Sequence, residues 1–154
     1  MQQPDLDEAL VTRLAERASQ LDGGDESEDA PLLEEFNRLA GTSRKFADFQ
    51  GIYGAEDHAD YVRRVLTIQL TDAQPELTRD DLVAMFAKLL ANVTDDAYIT
   101  YVATTIEKTF GDAQVSDLVF WPGEYFGDGD HSRELTPGMM ADAVLERHAK
   151  RRGV

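Results

Sequence analysis

The sequence predicts an all-α fold, and three observations carry that prediction. Apolar residues recur at three- and four-residue spacing along most of the 154 positions. Thr, Asp and Gly residues punctuate these stripes where helices are expected to start and stop. No segment alternates apolar and polar residues as a half-buried strand would. The first helix is expected at about residues 6–21, where Leu6, Leu10, Leu14, Ala18 and Leu21 share a face that fades at Gly23-Gly24. From Asp22 to Glu35 come seven acidic residues (Asp22, Asp25, Glu26, Glu28, Asp29, Glu34 and Glu35) and no basic one, so the Gly-containing part reads as a solvated loop. Leu32, Leu33, Phe36, Leu39 and Ala40 form the apolar face of a second helix, and Gly41 supplies the residue free to take positive φ at its end. A short segment, Phe46 to Tyr53, then leads to a helix at about 56–69 with Ala59, Val62, Val65 and Leu66 on one side.

The second half follows the same grammar. Thr78 and Asp81 have capping-box spacing, and Leu82, Phe86, Leu89, Leu90 and Val93 make the stripe behind them. Thr94, Asp95 and Asp96 open the next helix, whose stripe is Ile99, Val102, Ala103, Ile106 and Phe110, and Gly111 closes it. A short apolar segment, Ser116 to Pro122, precedes a polar Gly/Asp loop. Thr136-Pro137 begins the last helix with a cap residue and proline at the first helical position, and Met140, Val144, Leu145 and His148 share one side. Gly41 and Gly111 lie 70 residues apart, and each is followed by a short aromatic-containing segment with a central acid, Asp48 or Asp117. The expected architecture is two tandem four-helix modules, residues 1–70 and 71–154, with a boundary near Pro75. A single eight-helix bundle with ordinary loop lengths is the alternative.

Composition limits the function. Lys and Arg number 15 against 30 Asp and Glu, a formal net charge of -15, so phosphate backbones and anionic lipid are poor partners and a basic protein is a good one. The expectation is therefore no nucleic-acid binding and no membrane binding. With no Cys there is no disulfide framework, thiolate metal site or cysteine nucleophile. MQQPDLDEAL has neither a basic start nor an apolar run, and no stretch approaches 18 uncharged apolar residues, so the chain reads as soluble and cytoplasmic.

Ser116-Asp117-Leu118-Val119-Phe120-Trp121-Pro122 resembles the third-helix segment of the immunity proteins of DNase-type colicins and pyocins, which runs Ser-Asp-Leu, an aliphatic residue, two aromatics and Pro. The surrounding order is similar too: a Thr-x-x-Asp-Leu helix start, an acidic-led second helix, and a Thr-Pro-Gly final helix ending in the basic tail Lys150-Arg151-Arg152-Gly153. The resemblance covers about half of the chain, from Thr78 onward, and implies a four-helix inhibitor that binds a nuclease toxin beside its active site. It implies an anchor of Asp117, Phe120, Trp121 and Pro122 and a partner-selecting face of Asp96, Ile99, Thr100, Ala103 and Glu107, although Ile99 and Ala103 also belong to the core stripe. Phe120 and Trp121 depart from the family's usual tyrosine pair, leaving one indole N–H as the polar donor. The loop Gly123 to Leu135 is longer than the family's. The first half has a counterpart only if Asp48-Phe49-Gln50-Gly51-Ile52-Tyr53-Gly54 belongs to a diverged duplicate.

Catalytic and metal chemistry find no support in the residue pattern. Asp128-Gly129-Asp130-His131-Ser132 opens like a calcium loop, but Arg133 stands where Gly is needed and Met139 where Glu is needed. His58, His131 and His148 are far apart and lack the spacing of a helical zinc pair. Asp80-Asp81 and Asp95-Asp96 fall in first helical turns, where the helix dipole accounts for them. The sequence thus predicts no enzyme, no cofactor and no metal. It predicts an immunity-like inhibitor of a basic nuclease toxin, with a helical protein-interaction or regulatory module as the alternative.

Overall fold

The computed structural model describes residues 2–153, and the described residues are helical with no strand. The chain divides between Leu70 and Thr71 into two compact units. None of the described helices is long and apolar enough to cross a membrane.

The N-terminal unit contains α1 (Glu8–Leu21), α2 (Ala30–Ala40), two 3₁₀ turns (Phe46–Phe49 and Ile52–Gly54) and α3 (His58–Leu70). Leu6 lies outside α1 because Asp7 is the N-cap, its carboxylate accepting the N–H groups of Ala9 and Leu10. The acidic stretch is a run of turns until α2 begins at Ala30, with Pro31 in its first turn, and the helix ends at Gly41 in the left-handed region with φ 71. Asp48 accepts the Lys45 N–H at 2.8 Å and so closes the first 3₁₀ turn. The next residue, Phe49, is fully buried and meets Phe36 and Tyr61 edge to face at 4.8 and 5.7 Å. Val11, Leu14, Leu21, Val62 and Val65 complete this core, which all three helices and both turns enter.

The C-terminal unit contains α4 (Arg79–Ala91), α5 (Asp96–Phe110), α6 (Val115–Phe120), α7 (Pro122–Phe126) and α8 (Pro137–Arg151). The capping box at α4 is formed, with Thr78 and Asp81 exchanging bonds at 2.9 and 3.1 Å. Thr136 caps α8 with Pro137 in its first turn, and Gly111 ends α5 at φ 74. Leu82, Phe86, Leu89, Val102, Ile106, Leu118 and Val144 form the core. Three expectations need correction. Val93 lies beyond the end of α4 and is 49% exposed, because the helix stops at Ala91. The buried face of α5 is turned from the expected stripe: Tyr98, Tyr101, Thr104 and Thr105 are buried, whereas Ile99 and Ala103 are only partly so. Thr105 tolerates burial because its hydroxyl donates to the Tyr101 carbonyl at 2.8 Å. Residues 123–126, expected as loop, join Pro122 in α7, because proline at the first helical position needs no N–H partner there.

Candidate functional site

The junction of α6 and α7 presents the site. Val115, Leu118 and Tyr125 bury one side of the two short helices, which leaves Phe120 at 40% and Trp121 at 59% exposure as neighbours on the other. Neither helix is long enough to be stable alone, so their packing fixes them. Trp121 serves both: its N–H donates to the Asp117 carbonyl at 2.7 Å, and its carbonyl accepts the Glu124 N–H at 2.9 Å. A side chain on a backbone so constrained loses little freedom when a partner covers it.

The following loop folds back beneath the indole. Gly123 accepts the N–H groups of Asp128 and Gly129 at 3.1 and 3.2 Å, and its own N–H donates to His131 Nδ1 at 3.2 Å. This bond assigns the acceptor role to Nδ1, and the imidazole and Trp121 rings form a T-shaped pair with centroids 5.7 Å apart and planes at 89°. A β-carbon on Gly123 would lie 2.6 Å from both Asp130 N and Gly129 C, so only glycine permits the approach.

Beneath the surface, Asp112 holds α6 and α7 to α8. Its side chain is fully buried and accepts the Tyr125 hydroxyl at 2.6 Å, the Gln114 N–H at 3.0 Å and an Arg147 guanidinium N–H at 3.4 Å. Arg147 also donates to Gln114 Oε1 at 2.8 Å and to the Tyr125 carbonyl, and lies 3.6 Å over the Tyr125 ring. Burial, and then the Asp112 hydrogen bond and charge, push the Tyr125 hydroxyl well above its ordinary value of 10.0.

Of the expected anchor residues, Phe120 and Trp121 are exposed and Asp117 is partly exposed, with Gln114 Nε2 at 3.5 Å from its carboxylate. Pro122, named with the anchor, is buried and starts α7. On α5, Asp96 and Glu107 are exposed and Ile99, Thr100 and Ala103 partly buried, so the residues common to the core stripe and the selective face border both. Sequence reasoning missed His131, Gly123 and the Asp112, Tyr125 and Arg147 cluster. The Pro122-Gly123 pair was the available signal for a tight approach, whereas nothing local pairs Asp112 with a residue 35 positions away.

Among the described residues no group of three or more His, Asp or Glu side chains is placed to hold a metal ion. The sequence matches no family model, and no curated protein or solved structure matches it.

Proposed function

We propose that the chain is an immunity-type inhibitor that binds a basic nuclease toxin domain stoichiometrically, in the cytoplasm of the cell that makes the toxin. The C-terminal unit docks through Phe120 and Trp121, with Asp117 at their edge. The N-terminal unit is a diverged second module of the same kind. The observation that carries this reading is the exposure of two adjacent large aromatics on a backbone fixed at both ends, the arrangement of a binding hot spot. The charge supports it: a net -15 draws in a phosphate-binding, basic partner and repels competing nucleic acid once the complex forms.

The test takes a catalytically inactivated nuclease domain from the reading frame adjacent to this chain's own. Association, followed by Trp121 fluorescence in stopped flow, is expected to slow steeply as salt rises and the Debye length falls to about 10 Å at 0.1 M. Trp121→Ala is expected to weaken binding by about 2 kcal/mol or more, near 30-fold, with Phe120→Ala as the neighbouring control, both read by calorimetry. Unchanged affinity in both variants refutes the site. A neighbouring frame without a basic nuclease domain favours the alternative, a helical interaction module with another partner.

A further inference from the structure

The N-terminal unit exposes an aromatic of its own. Tyr53 is 77% exposed, although Phe49 and Ile52 in the same segment are buried. The turn beneath it is pinned. The Asp22 carboxylate, on a side chain 2% exposed, accepts the Gly51 N–H at 3.0 Å, the Tyr53 N–H at 2.8 Å and His58 Nε2 at 2.9 Å. Gln50 accepts the Gly23 N–H at 2.8 Å and donates to the Leu21 carbonyl at 2.7 Å. These bonds hold residues 50–53 against residues 21–23, from which the exposed acids Asp25, Glu26 and Glu28 directly follow. Among the described residues no Lys or Arg forms an ion pair with those three acids.

The same sequence of features leads to Trp121. In each unit the second helix ends at a left-handed glycine, Gly41 or Gly111. The next helical segment has an Asp at its third position, Asp48 or Asp117, and a fully buried residue directly after it, Phe49 or Leu118. An exposed aromatic then follows. Charge is shared as evenly: 15 acidic and 7 basic residues precede Thr71, and 15 and 8 follow from it.

We infer that Tyr53, with Asp25, Glu26 and Glu28, is a second docking surface for the same basic domain, so that one chain takes up two partner molecules. The inference rests on the function proposed above. A ring on a pinned turn supplies contact area at low entropic cost, and carboxylates without a Lys or Arg partner among the described residues supply complementary charge.

The full chain is titrated at low salt with the inactivated nuclease domain. Because Trp121 is the only Trp, its emission follows the C-terminal surface alone, whereas calorimetric heat follows both. Heat is expected to saturate at two equivalents and emission at one, the Trp121 surface filling first as the tighter of the two. Tyr53→Ala, which spares every bond that pins the turn, is expected to weaken the second event about 30-fold and leave the emission trace unchanged. The triple variant Asp25→Asn, Glu26→Gln, Glu28→Gln is expected to slow that event about tenfold at low salt. Heat that saturates at one equivalent and ignores Tyr53→Ala overturns the second surface and leaves Trp121 standing. Two equivalents that survive Tyr53→Ala overturn it as well. Absence of binding by the unmodified chain overturns both readings.

Discussion

Replacing Asp112 tests whether one buried carboxylate holds α6 and α7 on α8. In Asp112→Ala the Tyr125 hydroxyl and the Gln114 N–H lose their acceptor, and the Arg147 guanidinium keeps only Gln114 Oε1 and the Tyr125 carbonyl. A buried polar group left unpaired costs about 1–3 kcal/mol. Arg147 and Arg151 are 27% and 43% exposed, so water screens much of what their charges contribute. The phenol therefore dominates, and the expected loss is about 3 kcal/mol for Ala and roughly half that for Asn, which keeps one acceptor oxygen. With a urea dependence of about 1–1.5 kcal/mol per molar for a unit this small, the Ala variant should unfold at least about 2 M earlier. Trp121 fluorescence reads the unit that contains Asp112, and binding measured on the fraction still folded separates stability from recognition. Midpoints shifted by less than about 0.5 M in both variants would show that the cluster does not hold the two short helices, and the reasoning would fail.

Acid and alkali should act on different residues. Burial raises the Asp22 carboxyl, but the bonds from His58, Tyr53 and Gly51 overcome it and hold the group below its ordinary 3.8. Its contribution is therefore complete above pH 3.8 and is lost as pH falls through the lower folded value, so the stability gap between the unmodified chain and Asp22→Asn should narrow below about pH 4 in denaturant melts. Tyr125 runs the other way: its raised value means a contribution present below about pH 10 and lost above it, so the gap to Tyr125→Phe should close in melts at rising alkaline pH. Phe49→Ala, which empties a fully buried ring site between Phe36 and Tyr61, should cost about 3–5 kcal/mol in thermal unfolding followed by circular dichroism.

Local chemistry made the helix ends legible. Thr78 with Asp81, Gly41, Gly111 and Thr136-Pro137 act within a few residues of themselves, and each stands where the spacing predicts it. Periodicity misplaced the α5 stripe because Tyr98, Ile99, Tyr101, Val102, Ala103 and Ile106 spread over about 200° of the helix circumference, so the apolar face is too broad for spacing to fix its centre. It failed at 123–126 because Pro-Gly signals a turn as readily as a helix start. The exposed Phe120 and Trp121 were readable as a candidate surface through the motif that contains them, but their exposure was not, since two aromatics beside a proline fit a core equally well. Asp22 with His58 and Asp112 with Arg147 join residues 36 and 35 positions apart, and only the folded chain brings them together.

Gly123 bears on how such a surface changes over generations. Its neighbours at 2.6 Å are backbone atoms, so no rotamer change relieves a side chain there, and any replacement must lift residues 129–131 away from the indole. The position is buried, yet it determines how the rim around Trp121 is presented. On the function proposed above, a library selected for binding to new nuclease domains would diversify at positions 96, 99, 100, 103 and 107, while 123 would return as glycine in every survivor. Partner choice and anchor geometry would then be inherited separately, the first free to drift residue by residue and the second locked by a missing methyl group.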